Sequence, residues 1–303
     1  MAGAWPNLIV IGAMKAGTTA LHSALDQHPQ IQMSRTKELN FFCSSEDLSA
    51  ARAQLLRNSL QWQRGPDWYR RQFDASVCVR GESSPTYTSP EHHGVARRMF
   101  SVIPEAKLIL VVRDPIARSI SQYCHNVLEG VERRPIDEAL SDTSSGYLIR
   151  SQYHLCLRPF LEFYDTSQIK VLTQERMSSD LRGVLRETYQ FLGVDLDFWD
   201  ESGAGAVYET ASRKQQTAAI AGLRKSVVAS RIIERLSPQA RAAIKRALSR
   251  SVPPGALPSV ITPATRAIMD DFLRADAAEF AAFCGANLFP PAGPEGTAPA
   301  VAA

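Results

Sequence analysis

Four short runs of branched apolar residues punctuate the chain, at 8–11, 77–81, 107–113 and 168–173. They are too short for helices, and the clearest of them, Leu8-Ile9-Val10-Ile11 and Leu108-Ile109-Leu110-Val111-Val112, show no polar alternation. That pattern belongs to strands covered on both faces, as in a parallel sheet. The segments between them carry helical spacing. In 19–27, for example, Ala20, Leu21, Ala24 and Leu25 gather on one side. Strands alternating with helices predict an α/β fold with a central, mainly parallel sheet flanked by helices. In such sheets ligands bind beyond the carboxyl ends of the strands.

The pattern changes after residue 213. Between 213 and 250 there are ten Lys/Arg and one acid, Glu234, interleaved with Val227, Val228, Ile232, Ile233 and Leu236. This reads as a basic, amphipathic, mainly helical portion. A last amphipathic helix is expected at 263–285, with Ile268, Met269, Phe272, Leu273, Phe280 and Phe283. Beyond 289 a Pro/Gly/Ala-rich stretch lacks the apolar content to fold, so 290–303 reads as a disordered tail after a single domain over 1–289. A length of 303 residues allows a sizeable core. Net charge of +3 falls short of a dedicated nucleic-acid binder, so no nucleic-acid partner is expected. The five cysteines form no C-x-x-C pair, which argues against a zinc site or a disulfide framework and for a reducing, cytoplasmic setting. No apolar run is long enough to span a bilayer.

The candidate chemistry begins where the first strand ends. Gly12-Ala13-Met14-Lys15-Ala16-Gly17-Thr18-Thr19 has the glycine spacing of a P-loop, G-x-x-x-x-G-K-[ST]. Its backbone N–H groups and a following helix N-terminus suit an anion. The lysine, however, is Lys15, in the middle of the loop, and Thr18 holds the place of the triphosphate-binding lysine. The loop is therefore P-loop-like but unsuited to a nucleoside triphosphate. A second constellation, Val111-Val112-Arg113-Asp114-Pro115 followed by Arg118, Ser119 and Ser121, joins a strand end to a helix start. Arg113 and Ser121 suit a phosphate monoester, which a guanidinium binds bidentately. Two phosphate sites so far apart in sequence point to one nucleotide with phosphates at both ends of its ribose.

In order and spacing, G-x-x-K-x-G-T-[ST], K-E-x-x-F-F and [VL]-R-D-P-x-x-R-x-x-S resemble the sulfotransferases that use 3′-phosphoadenosine 5′-phosphosulfate (PAPS), on the heparan-sulfate and bacterial side of that family. The resemblance runs well over 7–193 and loosely beyond. It implies that Lys15, Ala16, Gly17, Thr18 and Thr19 hold the 5′-phosphosulfate and that Lys15 offsets charge on the leaving oxygen. It implies that Arg113 and Ser121 bind the 3′-phosphate and that Glu38, in Lys37-Glu38-Leu39-Asn40-Phe41-Phe42, is the general base. Burial of Glu38 by Phe41 and Phe42 is the expected means of raising its pKa. No metal is required on this reading. Two positions depart from the family. Ser83, in Gly81-Glu82-Ser83-Ser84-Pro85, stands at the family's lysine, and Arg213-Lys214 are the nearest match to a Lys-Gly loop over the nucleotide. Ser151-Gln152-Tyr153-His154 also resembles a family segment, with no role assigned.

The activity implied is transfer of a sulfuryl group to a hydroxyl, less readily an amine, of a carbohydrate, glycolipid or small natural product. Two alternatives stay open: a P-loop small-molecule kinase, and a catalytically silent nucleotide-binding protein of the same fold. The acceptor pocket is expected among the loops at 44–74, 127–147 and 200–260. There Trp62, Trp68, Tyr69 and Phe73 serve either to stack on sugars or to pack a helix. The basic stretch at 213–250 serves as a lid, as a face for peripheral contact with a lipid-linked acceptor, or simply as a solvated surface. Neither the acceptor nor the oligomeric state is legible.

Overall fold

The computed structural model describes residues 3–200, 214–216, 249–251 and 257–285. The basic stretch is described only at Lys214–Gln216 (β6) and Ser249–Ser251 (β7), which pair antiparallel. The rest of that stretch, Arg213 and the expected tail at 290–303 lie outside the described residues.

Five parallel strands form the central sheet: β1 (Leu8–Gly12), β2 (Ile31–Met33), β3 (Val79–Ser83), β4 (Lys107–Val112) and β5 (Ile169–Thr173), in the order β2-β3-β1-β4-β5. Helices flank the sheet, as the alternating pattern predicts. Four of the strands fall on the four apolar runs. The fifth, β2, is three residues long with a glutamine at its centre, so it carries no apolar run to be seen. All five residues of β1 are buried. Burial of each such aliphatic side chain contributes about 1.5–3 kcal/mol, which is why an uninterrupted apolar run must lie at the centre of a sheet. The strand order reverses direction around β1, and the carboxyl ends of β3, β1 and β4 lie side by side at that point.

The chain divides into two compact units, one of residues 1–118, 149–209 and 273–289, the other of 119–148, 210–272 and 290–303. The first contains the whole five-stranded sheet. Its core continues into an aromatic cluster in which Phe41 stacks on Tyr69 at 4.1 Å between centroids, with Trp62, Trp68 and Phe73 close by. Those aromatics pack against one another. Arg98 and Asp47, both nearly fully buried, form an ion pair, and Arg98 Nε also donates to the Phe42 carbonyl at 2.8 Å. In the same unit Asp276 accepts from the backbone N–H groups of His154 and Leu155, at 3.1 and 2.7 Å. It thereby caps the helix Tyr153–Leu161 and satisfies two of its unpaired donors. His154 bonds Glu279 at 2.8 Å through Nδ1, so this histidine serves the packing of the last helix, Pro263–Cys284.

In the second unit, Glu132 and Arg134 pair at 2.8 Å, and hydrogen bonds from the guanidinium hold the Glu132 carboxyl down at about 2. Asp137 accepts from Thr262 N and from the hydroxyls of Thr262 and Thr265. All five cysteines are free thiols. Among the described residues no helix is long and apolar enough to cross a membrane.

Candidate functional site: an anion loop beside a carboxylate loop

β1 delivers the chain at Gly12, where a Cβ would collide with Thr88 Oγ1, so only glycine fits. Ala13 N–H then donates to the Val111 carbonyl at 2.6 Å, fastening the loop to β4. Lys15 adopts φ 70° and Gly17 φ 94°, both left-handed. The second reversal starts helix α1 (Thr18–Leu25) with Gly17 as its N-cap. Gly17 caps without a side-chain acceptor, so the N–H groups of the first turn have no capping oxygen from that residue. A helix N-terminus presented this way at the carboxyl edge of a parallel sheet has the N–H groups and dipole direction that suit an anion. Thr18 is buried and Thr19 exposed. The loop expected from the glycine spacing is thus formed as a loop, with Lys15 within it.

Glu38 lies on a neighbouring loop with an equally constrained backbone. It adopts φ 64° and Asn40 φ 50°, and with Lys15 these are the non-glycine residues at positive φ among the described residues. Such residues cost free energy and gather at functional sites. What holds them is a set of bonds to the end of β3. Glu38 N–H donates to the Ser83 carbonyl at 2.9 Å, and Asn40 N–H donates to Ser84 Oγ at 3.0 Å. Ser84 N–H in turn donates to the Val10 carbonyl of β1 at 3.1 Å. The carboxylate loop, which follows β2, is thus bonded to the end of β3, and β3 in turn is bonded to β1, the strand that carries the anion loop. Phe41 and Phe42, however, turn into the aromatic core. They leave the Glu38 side chain 48% exposed and paired with Lys37 at 3.0 Å. Burial of Glu38 by these two rings does not occur, because the rings pack against Tyr69, Trp62 and Tyr87 instead.

Beneath the loop Glu82 is completely buried. Its carboxyl receives hydroxyls from Tyr69 (2.6 Å), Tyr87 (2.7 Å) and Ser84 (2.6 Å). Burial pushes its pKa up, against the lowering effect of those hydrogen bonds. At Ser83, where the resemblance expects a lysine, the hydroxyl instead lies 3.0 Å from His22 Nδ1 on α1. Burial is the largest influence on His22 and pushes its pKa below the usual histidine value.

On the other side of β1, β4 ends at Val112 and Arg113 follows, half-buried. Asp114 caps the helix Pro115–Leu128 by accepting from Ala117 N–H at 2.7 Å, and Pro115 opens the helix as N-terminal prolines do. Replacing Asp114 with Ala should cost about 1 kcal/mol of stability, the usual worth of an N-cap; urea unfolding would show a shifted midpoint at unchanged slope. Tyr153 grips Arg113 from both sides. Its hydroxyl accepts from Arg113 N–H at 3.2 Å and donates to the Arg113 carbonyl at 2.7 Å. Ser121 lies further along the same helix, in the second unit. Lys214 begins β6 in that unit.

Tyr153, Ser151, His22 and Glu82 carry interactions that their sequence context did not assign to them. A Tyr two residues after a Ser, or one acid in a strand, has no spacing that distinguishes support of a site from ordinary packing. The signal available was the whole segment 151–154, which matched a family pattern without showing what it grips.

A model of the sulfotransferase family matches residues 6–201, more than half of the chain. The membrane-associated sulfotransferase kil1 of Dictyostelium discoideum is 37% identical over 123 residues, covering 39% of this chain and 22% of that protein. Heparan sulfate glucosamine 3-O-sulfotransferase 5 of Homo sapiens is 28% identical over 203 residues, covering 62% of this chain and 54% of that one. The alignments thus span about half or less of the named relatives' length. Among solved structures, a sulfotransferase from Alicyclobacillus acidocaldarius superposes with a TM-score of 0.66 at 23% identity, over 94% of this chain and 98% of that one, and shares the fold. The match begins just before β1 and runs through the anion loop, the Glu38 loop and the exit of β4, so by its sequence and by the elements that sequence builds, the chain belongs to the sulfotransferase family.

Proposed function

We propose that this protein transfers a sulfuryl group from PAPS to a hydroxyl of a carbohydrate or glycolipid acceptor. The observation that carries the reading is the pair of loops that follow β1 and β2 and are tied together through the end of β3, one presenting Lys15 and a helix N-terminus, the other presenting Glu38. The donor fits this chain. Its 5′-phosphosulfate suits the N–H groups of Ala16, Gly17, Thr18 and Thr19 with Lys15, and its 3′-phosphate suits Arg113; the family resemblance adds Ser121, Arg213 and Lys214 as candidates for the nucleotide, Arg213 lying outside the described residues. Bound there, PAPS supplies the sulfuryl group.

The chain's own residues do the rest. Glu38 takes the proton from the acceptor hydroxyl as its oxygen attacks sulfur. Being half-exposed, it can pass that proton on to water. Lys15 and the fixed backbone N–H groups offset the negative charge that develops on the departing bridging oxygen, a stabilisation that requires no reorganisation at the moment of reaction. Lys37 pairs with Glu38 at 3.0 Å. A carbohydrate acceptor is favoured by similarity to proteins named for heparan sulfate glucosamine.

The test is incubation with labelled PAPS and a panel of sugars, glycolipids and phenols, with mass spectrometry of the products. A product heavier by one sulfuryl group, formed without added metal, is the expected result. Turnover of ATP that depends on Mg²⁺, with PAPS left intact, would replace this reading with that of a kinase.

A further inference from the structure

Arg118 is the largest fully buried side chain in the described chain, and it touches the anion loop. It sits in the first turn of the helix Pro115–Leu128, five residues beyond Arg113. Its guanidinium reaches two ways. Nη1 donates to the Met14 carbonyl at 3.3 Å, in the peptide immediately before Lys15, and Nε donates to Ser151 Oγ at 2.6 Å. Ser151 Oγ in turn donates to the Pro115 carbonyl at 2.9 Å. Two residues on, Tyr153 holds both backbone groups of Arg113. One chain of hydrogen bonds thus runs from the anion loop, through a buried cation, to the segment that fixes the exit of β4.

We propose that Arg118 is a positioning residue that locks the peptide before Lys15, and so the left-handed turn that aims Lys15, to the element presenting Arg113. This rests on the functional reading above and adds to it a group that never touches the donor. The planar fork explains why arginine is needed. Its Nε and Nη1 point along different directions at once, which one ammonium on a flexible stem cannot do. Burial lowers the Arg118 pKa to about 10, so the group remains charged at neutral pH and its bonds remain charge-assisted. Since Lys15 holds φ 70° at a cost, a neighbouring peptide with a fixed carbonyl is what such a conformation requires to persist. The consequence is specific: loosening Arg118 should weaken recognition at the 5′ end of the nucleotide and leave the 3′ end alone.

Calorimetric titration with 3′-phosphoadenosine 5′-phosphate (PAP) and with 3′-AMP, which lacks the 5′-phosphate, separates the two ends. The ratio of the two affinities measures the 5′ subsite. In Arg118→Lys this ratio should fall roughly tenfold to a hundredfold, the worth of one to two charge-assisted hydrogen bonds, while 3′-AMP binds as it does to the wild type. Ser151→Ala, a milder change, should lower the ratio in the same direction by a smaller factor, and it stands in should Arg118→Lys fail to fold. In a Lys15→Ala background, adding Arg118→Lys should change the ratio no further, because the group it aims is gone. An unchanged ratio in both Arg118→Lys and Ser151→Ala overturns the proposal. So does an equal loss for PAP and 3′-AMP, which is what general loosening of the fold produces. Failure of the wild-type protein to bind PAP at all would instead remove the functional reading, and the proposal with it.

Discussion

Glu38→Gln should lose sulfuryl transfer by a factor of about 10²–10⁴, the range that a positioned general base contributes, while PAP binds with unchanged affinity. The amide is isosteric with the carboxyl and keeps the 2.9 Å bond from its backbone N–H to Ser83, so the loop stays in place and only the proton acceptor is lost. Lys15→Ala is the contrasting variant. In the proposed function its side chain meets the donor in the ground state and the leaving oxygen in the transition state, so affinity and rate should fall together. A third variant separates chemistry from strain. Glu38 at φ 64° occupies backbone space that costs an L-residue roughly 1–2 kcal/mol, whereas glycine enters it freely and loses about 0.5–1 kcal/mol through added entropy in the unfolded chain. Glu38→Gly should therefore unfold at the same or a higher temperature than the wild type while being as inactive as Glu38→Gln. Full activity in Glu38→Gln with the best acceptor would show that the base lies elsewhere.

The same two loops show how far a sequence can be read and where reading stops. The anion loop was legible because everything that defines it is local: an apolar strand, two glycines at fixed spacing, a lysine and a helix start. The exit of β4 was legible for the same reason, since Asp114 and Pro115 are an N-cap and a first helical residue whatever surrounds them. Arg118 was visible as a member of that motif, but its task was not, because Met14 is more than a hundred residues away and meets it only once β1 and β4 pair. The orientation of Phe41 and Phe42 is illegible on similar grounds. Two aromatic rings next to a carboxylate suggest a dry pocket for it, but Tyr69, Trp62 and Tyr87 offered the rings a better place in the core. His22 and Ser83 meet across α1 and β3, sixty-one residues apart, and neither has a local pattern that announces the other. Among the strands, β2 carries no pattern in the sequence because three residues are too few to establish a period.

Glu82 should prove to be the side chain on which the Glu38 loop depends for its stability. Three hydroxyls converge on its carboxyl, and two of them belong to residues that hold the loop directly: Ser84 Oγ accepts from Asn40 N–H, and Tyr87 OH accepts from Phe42 N–H at 3.4 Å. Glu82→Ala leaves all three hydroxyls buried without their acceptor, at about 1–3 kcal/mol each, and opens a cavity as well. A loss on the order of 4 kcal/mol or more is a large part of the roughly 5–15 kcal/mol margin of a folded domain. Its urea midpoint should fall steeply, or the variant should fail to accumulate as folded protein; a midpoint matching the wild type would refute the argument. The milder Glu82→Gln keeps the volume and exposes the electrostatics. Because burial raises the folded-state pKa of Glu82 above its unfolded value near 4.5, folding favours the protonated carboxyl. That contribution is fully present below the unfolded value and is lost as pH rises through the folded one. The stability advantage of the wild type over Glu82→Gln should therefore shrink from pH 4.5 upward, and an advantage that grew with pH would mean that the three hydroxyls outweigh burial. Tyr87→Phe removes only one of the three bonds and one support of the loop. It should lower the rate of transfer more than it lowers PAP affinity, since the peptide it releases belongs to the loop of the base and not to the loop of the donor.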